Sequence, residues 1–461
     1  MTNSSNDSSF FEKAGQWLSH SITLRLFVIG ILILIMLIPV GMIESLIRER
    51  QYRQTEAQNE VSEKWGYPQT VGGLVLSVPY TVYSKVTRDN GQEEMMTSTA
   101  YYHILPESLN IGGDLVTEKR NRGIFETIVY SSELELTGQF NLEPDQRYNT
   151  SGLRWEEATV SLGITDLRSI QESVSVNWEG QSKSFNPGLP TQDVFQSGIS
   201  VPMAVEWEES ATTLDIPFSV DLSLRGSDYI RFVPLGKTTT VEMRSGWNSP
   251  SFDGAFLPQD REVNTDGFNA NWKVLNLNRP YPQEFKGSVH GISESAFGVT
   301  LLLPVDHYQK STRAAKYAVL FITLTFVVFF FIQIMGRVRI HPVQYILVGF
   351  ALCMFYTLLI SISEHLLFGW AYLIAAGSIV SLVSFYAHGT FKSTRLTGVL
   401  AAIMTLLYGF IFTIIQLQDL ALLVGSIGLF LALAVIMYIT RKIDWYNSAT
   451  FTQKRKPPVI E

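Results

Sequence analysis

The distribution of apolar residues constrains this chain more than any other feature. One long apolar run lies near the N-terminus, and five more follow residue 316 with only short breaks between them. A helix needs roughly 20 apolar residues to cross the hydrocarbon core of a bilayer, and every run approaches or exceeds that length. The sequence therefore predicts a polytopic α-helical membrane protein with six spans, at 22–43, 316–335, 342–363, 366–387, 396–417 and 420–440.

The first run has two interpretations, a cleaved signal peptide or a membrane anchor. Its apolar core is longer than that of a signal peptide, and Glu44 and the charged triplet 48–50 follow where a cleavage site with small residues belongs. These features favour an uncleaved signal-anchor.

Basic residues predict the orientation of the helices. Loops 336–342 and 388–395 and the tail 441–461 are rich in Lys and Arg, whereas the two opposite short loops contain neither residue. Short loops with excess Lys and Arg stay in the cytoplasm. We therefore expect a cytoplasmic tail at 1–21, a second at 441–461, and residues 44–315 on the outer side.

The outer segment changes character along its length. Residues 44–64 lack Pro and Gly and predict a helical stalk that ends at Gly66-Tyr67-Pro68. Beyond it, apolar residues alternate with polar ones, most clearly over Ile216–Leu224, which is typical of half-buried strands. The turn sequence 89–91 predicts a hairpin between Thr81–Val86 and Met95–Leu105. Further predicted strands are Phe125–Tyr130, Ser132–Phe140, Thr159–Ile164, Val174–Trp178, Ile199–Trp207, Thr238–Met243 and Gly298–Leu303.

These strands predict a large all-β, sandwich-like domain inserted after the first helix. The pattern leaves open whether it is one sandwich or two. The chain has a single cysteine, Cys353, inside an apolar run, so no disulfide supports this domain.

Charge and motifs exclude several function classes. Residues 44–316 contain 24 basic and 36 acidic side chains, a net charge of −12, which argues against nucleic-acid binding. The sequence has no nucleophile elbow, zinc-protease motif, phosphate-binding loop or cysteine pair. We therefore predict no catalytic site, no cofactor and no metal, although a site assembled from distant residues stays open.

Two places are candidates for binding. The stretch from Trp247 to Trp272 concentrates aromatic residues and glycines, which suits recognition of a partner or glycan and equally suits an irregular cap on the core. Its candidate contact residues are Trp247, Phe252, Phe256, Arg261, Phe268 and Trp272. Glu364 and His365 lie between the third and fourth spans, where they suit docking of the outer domain or pH sensing. A solvated loop at the headgroup level is the favoured interpretation of that pair.

The charged residues between 317 and 440 all fall in predicted loops. Ion-coupled transporters keep ionisable groups at membrane depth, so this distribution argues against an ion relay and leaves passage of lipids or apolar molecules open. Because one helix suffices to anchor a domain, the remaining five keep transport or lipid handling as the alternative to partner binding.

Six stretches of the chain are distinctive in their order and residues: Arg339–His365, Arg441–Tyr446, Trp65-Gly66, Gly72–Tyr80, Arg122–Phe125 and Trp247–Trp272. Together they resemble the CreD family of bacterial inner-membrane proteins, and the resemblance extends over about residues 22–446. It implies a multi-pass protein of the Gram-negative inner membrane with a periplasmic outer domain. It also implies a role in cell-envelope integrity and stress response, including tolerance to colicins and β-lactams. The ligand, a periplasmic protein or another envelope component, and the oligomeric state stay open.

Overall fold

The computed structural model describes residues 22–87, 93–142, 152–206, 213–288, 291–303, 307–336, 338, 340–417 and 420–441. The predicted turn 89–91, the tail 1–21 and residues 442–461 lie outside this range. The chain divides into a helical unit, which takes residues up to Arg53 and from Asp306 onward, and a β-rich unit, Gln54–Val305.

The helical unit contains the apolar segments. Its helices are α1 (Ile22–Trp65), α2 (His307–Lys316), α3 (Ala318–Met335), α4 (Pro342–Ser363), α5 (Phe368–Phe391), α6 (Thr394–Gln416) and α7 (Ala421–Thr440). All but α2 are long and apolar enough to cross a membrane, which makes six such helices in the described part of the chain. The predicted architecture, six membrane helices with a β-rich domain between the first and the rest, is confirmed.

Helix α1 is continuous over 44 residues and ends at Trp65, directly before Gly66. Its buried residues include Ile29, Leu32, Met36, Val40 and Ile43. Steps of three and four residues place them on one helix face. Met36 lies against Gly349 of α4, where an added Cβ would be 2.6 Å from the Met36 sulfur. The glycine therefore permits a close approach between α1 and α4.

The β-rich unit has seventeen strands among its described residues. They are β1 (Gln69–Thr87), β2 (Glu93–Ile104), β3 (Ser108–Arg122), β4 (Phe125–Leu142), β5 (Thr159–Ile164), β6 (Ser175–Trp178), β7 (Gln181–Ser184), β8 (Asn186–Pro187), β9 (Gly198–Pro202), β10 (Leu214–Ser227), β11 (Tyr229–Phe232), β12 (Thr238–Ser245), β13 (Pro250–Gly254), β14 (Asp260–Asn264), β15 (Gly267–Leu275), β16 (Glu284–Lys286) and β17 (Phe297–Leu301).

The strands form two sheets. Sheet 1 has the order β13-β17-β11-β1-β5-β9-β8, with β2 paired to β1 and β16 to β2. Sheet 2 has the order β14-β15-β12-β3-β4-β10-β6-β7. Most pairs are antiparallel, while β1–β11 and β12–β3 are parallel. Strands β1 and β2 pair from Leu76 opposite Ile104 to Thr87 opposite Glu93, as the predicted hairpin requires.

One hydrophobic core lies between the sheets. It joins residues of sheet 1, such as Leu76 and Val160, to residues of sheet 2, such as Leu136 and Leu222, in one continuous cluster. The sequence left open whether this domain is one sandwich or two, and the single core shows that it is one.

The predicted break between Phe125–Tyr130 and Ser132–Phe140 is wrong, because β4 continues through Ser131. Strand β3 pairs with it from Ser108 to Arg122 without a gap, and these ladder bonds keep the chain extended.

Candidate functional site

The aromatic stretch between Trp247 and Trp272 closes one edge of the core. Phe268 and Trp272 on β15 are 5% and 2% exposed, and both belong to the core cluster. Phe252 on β13 of sheet 1 lies edge-on to them, with ring centroids 5.6 Å and 5.7 Å away. Edge-to-face aromatic pairs add about 0.5–1.5 kcal/mol to their burial. These three rings therefore join β13, at the edge of sheet 1, to β15, which lies next to the edge strand of sheet 2.

The rest of the stretch is more accessible. Trp247 is partly buried, and its indole N–H donates to the carbonyl oxygen of Leu302 at 3.2 Å. The Phe256 ring packs edge-on to Phe297, with centroids 5.8 Å apart. Arg261 is exposed, with its guanidinium 6.0 Å from the Phe252 ring. Binding by this stretch stays a prediction, and only its outer residues present surface to a partner.

Glu364 lies at the C-terminal end of α4 and contacts two other helices of the helical unit. The Tyr308 hydroxyl of α2 donates to its Oε1 at 2.9 Å. An Arg50 guanidinium nitrogen of α1 lies 3.7 Å from the same oxygen. The Glu364 side chain is only 12% exposed, whereas His365 is exposed. The carboxylate thus links α1, α2 and α4 at one end of the helical unit, while domain docking and pH sensing by this pair stay predictions.

Sequence reasoning did not identify the groove on the outer face of sheet 2. Two adjoining depressions, of about 450 and 480 Å³, share Gly112 and Glu242. The first is lined by acidic side chains of four neighbouring strands. They are Asp114, Glu133, Glu135, Asp221 and Glu242. Gln259 and Asn271, both within the aromatic stretch, line the second depression.

The strand register brings these carboxylates together. Glu135 is directly opposite Asp221, and Asp114 is directly opposite Glu133. Like charges in such cross-strand positions are destabilising. Within the described residues, Arg244 forms an ion pair with Glu242, and none of the other four carboxylates has an ion pair. Arg244 also attracts Asp114, and the exposed Lys273 lines the second depression. Two cations against five carboxylates leave the groove with a net negative charge.

A second arrangement that the sequence did not reveal lies on the opposite face of the sandwich. Ser77 and His103 are paired across β1 and β2, and both are buried. The Ser77 hydroxyl lies 3.0 Å from His103 Nδ1, and Asp193 Oδ2 lies 3.2 Å from Nε2. An ionised carboxylate only accepts hydrogen bonds. Nε2 therefore carries the proton, and Nδ1 accepts from Ser77.

This linkage has the residue types of a hydrolytic triad in an arrangement unsuited to catalysis. Ser77 is 2% and His103 0% exposed, whereas the Asp193 side chain is 25% exposed. A nucleophile must reach its substrate, and here the hydroxyl is buried while the acid faces solvent. Burial lowers the pKa of His103 more than the hydrogen bond and charge of Asp193 raise it, so the imidazole is neutral at pH 7.

Comparison with known proteins gives two matches. Residues 21–446 match the family model described as inner membrane protein CreD. The chain is 31% identical over 419 residues to inner membrane protein CreD of Escherichia coli strain K12, which covers 90% of this chain and 91% of that protein. Both matches agree with the resemblance inferred from the sequence.

Proposed function

Because the chain belongs to the CreD family of inner membrane proteins, we propose that it is a non-enzymatic protein that supports envelope integrity by binding a partner outside the cytoplasm. In this proposal both termini are cytoplasmic and residues 44–315 are periplasmic. The β-rich unit binds an envelope component or periplasmic protein, and the helices hold it in the membrane.

The open acidic groove on sheet 2 carries this proposal. Glu242, Glu135 and Asp221 lie in one row across β12, β3, β4 and β10. Strands are spaced by about 4.8 Å, so the row extends over about 14 Å. That length exceeds the size of a single ion and fits an extended partner that carries several positive charges. Neutralising the carboxylates on binding relieves their mutual repulsion and favours the complex.

The interior of the helical unit favours anchoring over passage. Phe321, Phe355, Tyr372 and Tyr408 from four helices are buried, with neighbouring ring centroids 4.3–5.3 Å apart. The Tyr372 hydroxyl donates to the Tyr408 carbonyl oxygen at 2.8 Å. Close packing of rings leaves little space for a solute at this level.

The test is complementation in a strain lacking this gene, scored by sensitivity to detergent and colicins. The groove variant of the full-length protein carries Asp114→Asn, Glu133→Gln, Glu135→Gln and Asp221→Asn. A matched control neutralises four exposed carboxylates outside the groove, Glu63, Glu156, Glu172 and Glu206. Both variants remove four negative charges, so a difference between them reports the groove itself.

We expect the control to restore tolerance and the groove variant to fail, at equal membrane abundance and equal melting temperature. Full rescue by the groove variant would overturn the proposal. That result would favour the alternative function, lipid handling or transport by the helical unit.

A further inference from the structure

The segment between β8 and β9 lies over the outer face of sheet 1. We call residues 188–197 the strap. Phe195 lies against β1 and β5: an added Cβ would be 2.2 Å from the ring at Gly72 and 2.5 Å from it at Gly163. Asp193 reaches His103 on β2. The strap thus contacts three neighbouring strands of one sheet.

The two attachments differ in chemistry. Phe195 occupies a notch that exists because Gly72 and Gly163 have no side chains, so this contact is apolar and insensitive to pH. The contact of Asp193 is made to an imidazole that is completely buried, and protonation of that ring would create a charge that solvent cannot reach. The strap therefore has one permanent and one titratable attachment.

The surroundings of His103 contain few other charges. Ser77 and Tyr80 come from β1, and Tyr101 from β2 stacks at a centroid distance of 6.4 Å. From β16, the Phe285 ring lies 5.3 Å away, Lys286 Nζ lies 4.8 Å from the Tyr80 ring, and Glu284 accepts from Tyr102. Asp193 is the charged group in direct contact with the imidazole. Its single negative charge opposes the desolvation that a protonated His103 would suffer.

We propose that the strap is an acid-released latch, which covers the outer face of sheet 1 at neutral pH and opens when the surroundings acidify. Opening hydrates His103 and exposes the glycine notch that Phe195 fills. This inference concerns the face opposite the acidic groove and does not depend on that groove binding a partner.

The direction follows from proton linkage. The pKa of His103 lies below its usual value while the strap is closed and returns toward about 6.5 when the ring is hydrated. Above that pH the imidazole is neutral in both states, and the closed state keeps its full stability. As the pH falls below it, the open state binds a proton that the closed state resists, so opening becomes more favourable by at most about tenfold per pH unit.

The test is hydrogen–deuterium exchange of the full-length protein in detergent between pH 7.5 and 5.0, corrected for intrinsic exchange. We expect exchange in peptides covering 188–200 to increase as the pH falls, while peptides of β10 in sheet 2 do not change. His103→Gln retains hydrogen-bonding capacity and cannot titrate in this range. In this variant the strap should exchange at a rate independent of pH.

Asp193→Asn provides a second readout that retains the histidine. Without the carboxylate, the protonated imidazole loses the counter-charge that contacts it directly. The ratio of strap exchange at pH 5.0 to that at pH 7.5 should therefore exceed the wild-type ratio. A flat pH profile in the wild type would overturn the proposal. The same acid-induced opening in His103→Gln would overturn it as well, because another group would then be responsible.

Discussion

The link between Arg50 and Glu364 gives a quantitative prediction about how α1 is held against the other helices. The two side chains lie far apart in the sequence and 3.7 Å apart in the fold. At this distance the Coulomb energy is about 1 kcal/mol in water and about 4 kcal/mol at an effective dielectric constant of 20. Arg50 is 38% exposed, so solvent screening places the pair near the lower figure. We expect a coupling free energy of about 1 kcal/mol.

A double-mutant cycle with Arg50→Met and Glu364→Gln measures this coupling. Methionine retains much of the apolar stem of Arg50, and glutamine still accepts the Tyr308 hydrogen bond. We therefore expect Arg50→Met to cost about 1 kcal/mol. Glu364→Gln should cost slightly more, about 1–2 kcal/mol, because a hydrogen bond to a charged acceptor becomes a neutral one. The double variant should be less destabilised than the sum by about 1 kcal/mol.

Cys353 supplies the assay. It is the chain's single cysteine and is 4% exposed on α4, so its reaction with a maleimide reports opening of the helical unit. The labelled fraction is measured in mild detergent as SDS is added. The Glu49–Arg53 pair on α1 is the matched control, since its side chains are 55% and 58% exposed. Its coupling should be about 0.3–0.5 kcal/mol or less. An Arg50–Glu364 coupling no larger than that of the control would refute the reasoning.

Two further predictions concern other contacts. Tyr372→Phe removes the hydroxyl that donates to the Tyr408 carbonyl and should cost about 1 kcal/mol by Cys353 labelling; an unchanged SDS midpoint would contradict it. Hydrogen bonds from Lys64 and then Arg122 hold the pKa of Glu60 below its usual value. This contribution to stability is complete above about pH 4.3, the pKa of a glutamate in the unfolded chain. It is lost as the pH falls through the lower pKa that Glu60 has in the folded protein. The melting temperature, followed by tryptophan fluorescence, should therefore depend less on pH below 4.5 in Glu60→Gln, and parallel profiles would argue against it.

The membrane helices could be predicted from sequence because a charge-free apolar run of 20 residues has few alternative structures. The first and last residues of these helices were predicted less accurately. Leu366 and Leu367 are as apolar as the helix that follows, yet α5 begins at Phe368. The same helix continues through His388 to Phe391, beyond the predicted limit of 387, because hydropathy does not detect hydrogen bonding.

The accuracy of strand prediction depended on whether one face of the strand is exposed to solvent. In β10 buried and accessible residues alternate, and the predicted strand lies inside the observed one. Strand β3 contains the pair Gly112-Gly113 followed by many charged residues, which is typical of a loop. Its extended conformation comes from pairing with β4 and β12, and that pairing is invisible in the local sequence.

The acidic groove and the linkage of Ser77, His103 and Asp193 could not be predicted from the sequence for the same reason. Asp114 and Glu242 line one groove although 128 residues separate them, and His103 and Asp193 are 90 residues apart. No local spacing signals either arrangement, since strand order creates both. The sequence contains one weak signal for the His103–Asp193 arrangement. Ser77 interrupts the apolar run 74–78, although a strand that is buried on both faces favours apolar residues throughout.

The position of that serine supports a functional reason for the polar pair beneath the strap. Residues 71–79 of β1 are buried without exception, so an apolar pair at 77 and 103 would avoid the cost of burying a hydroxyl and an imidazole. Apolar side chains would also hold the strap closed at every pH. Ser77, His103 and Asp193 instead satisfy one another while the strap is closed, and protonation of His103 would place a charge beneath it where solvent cannot reach. In the two proposals this face responds to a single proton, whereas the groove on the opposite face responds to the charge of a partner, so the two can be tested separately.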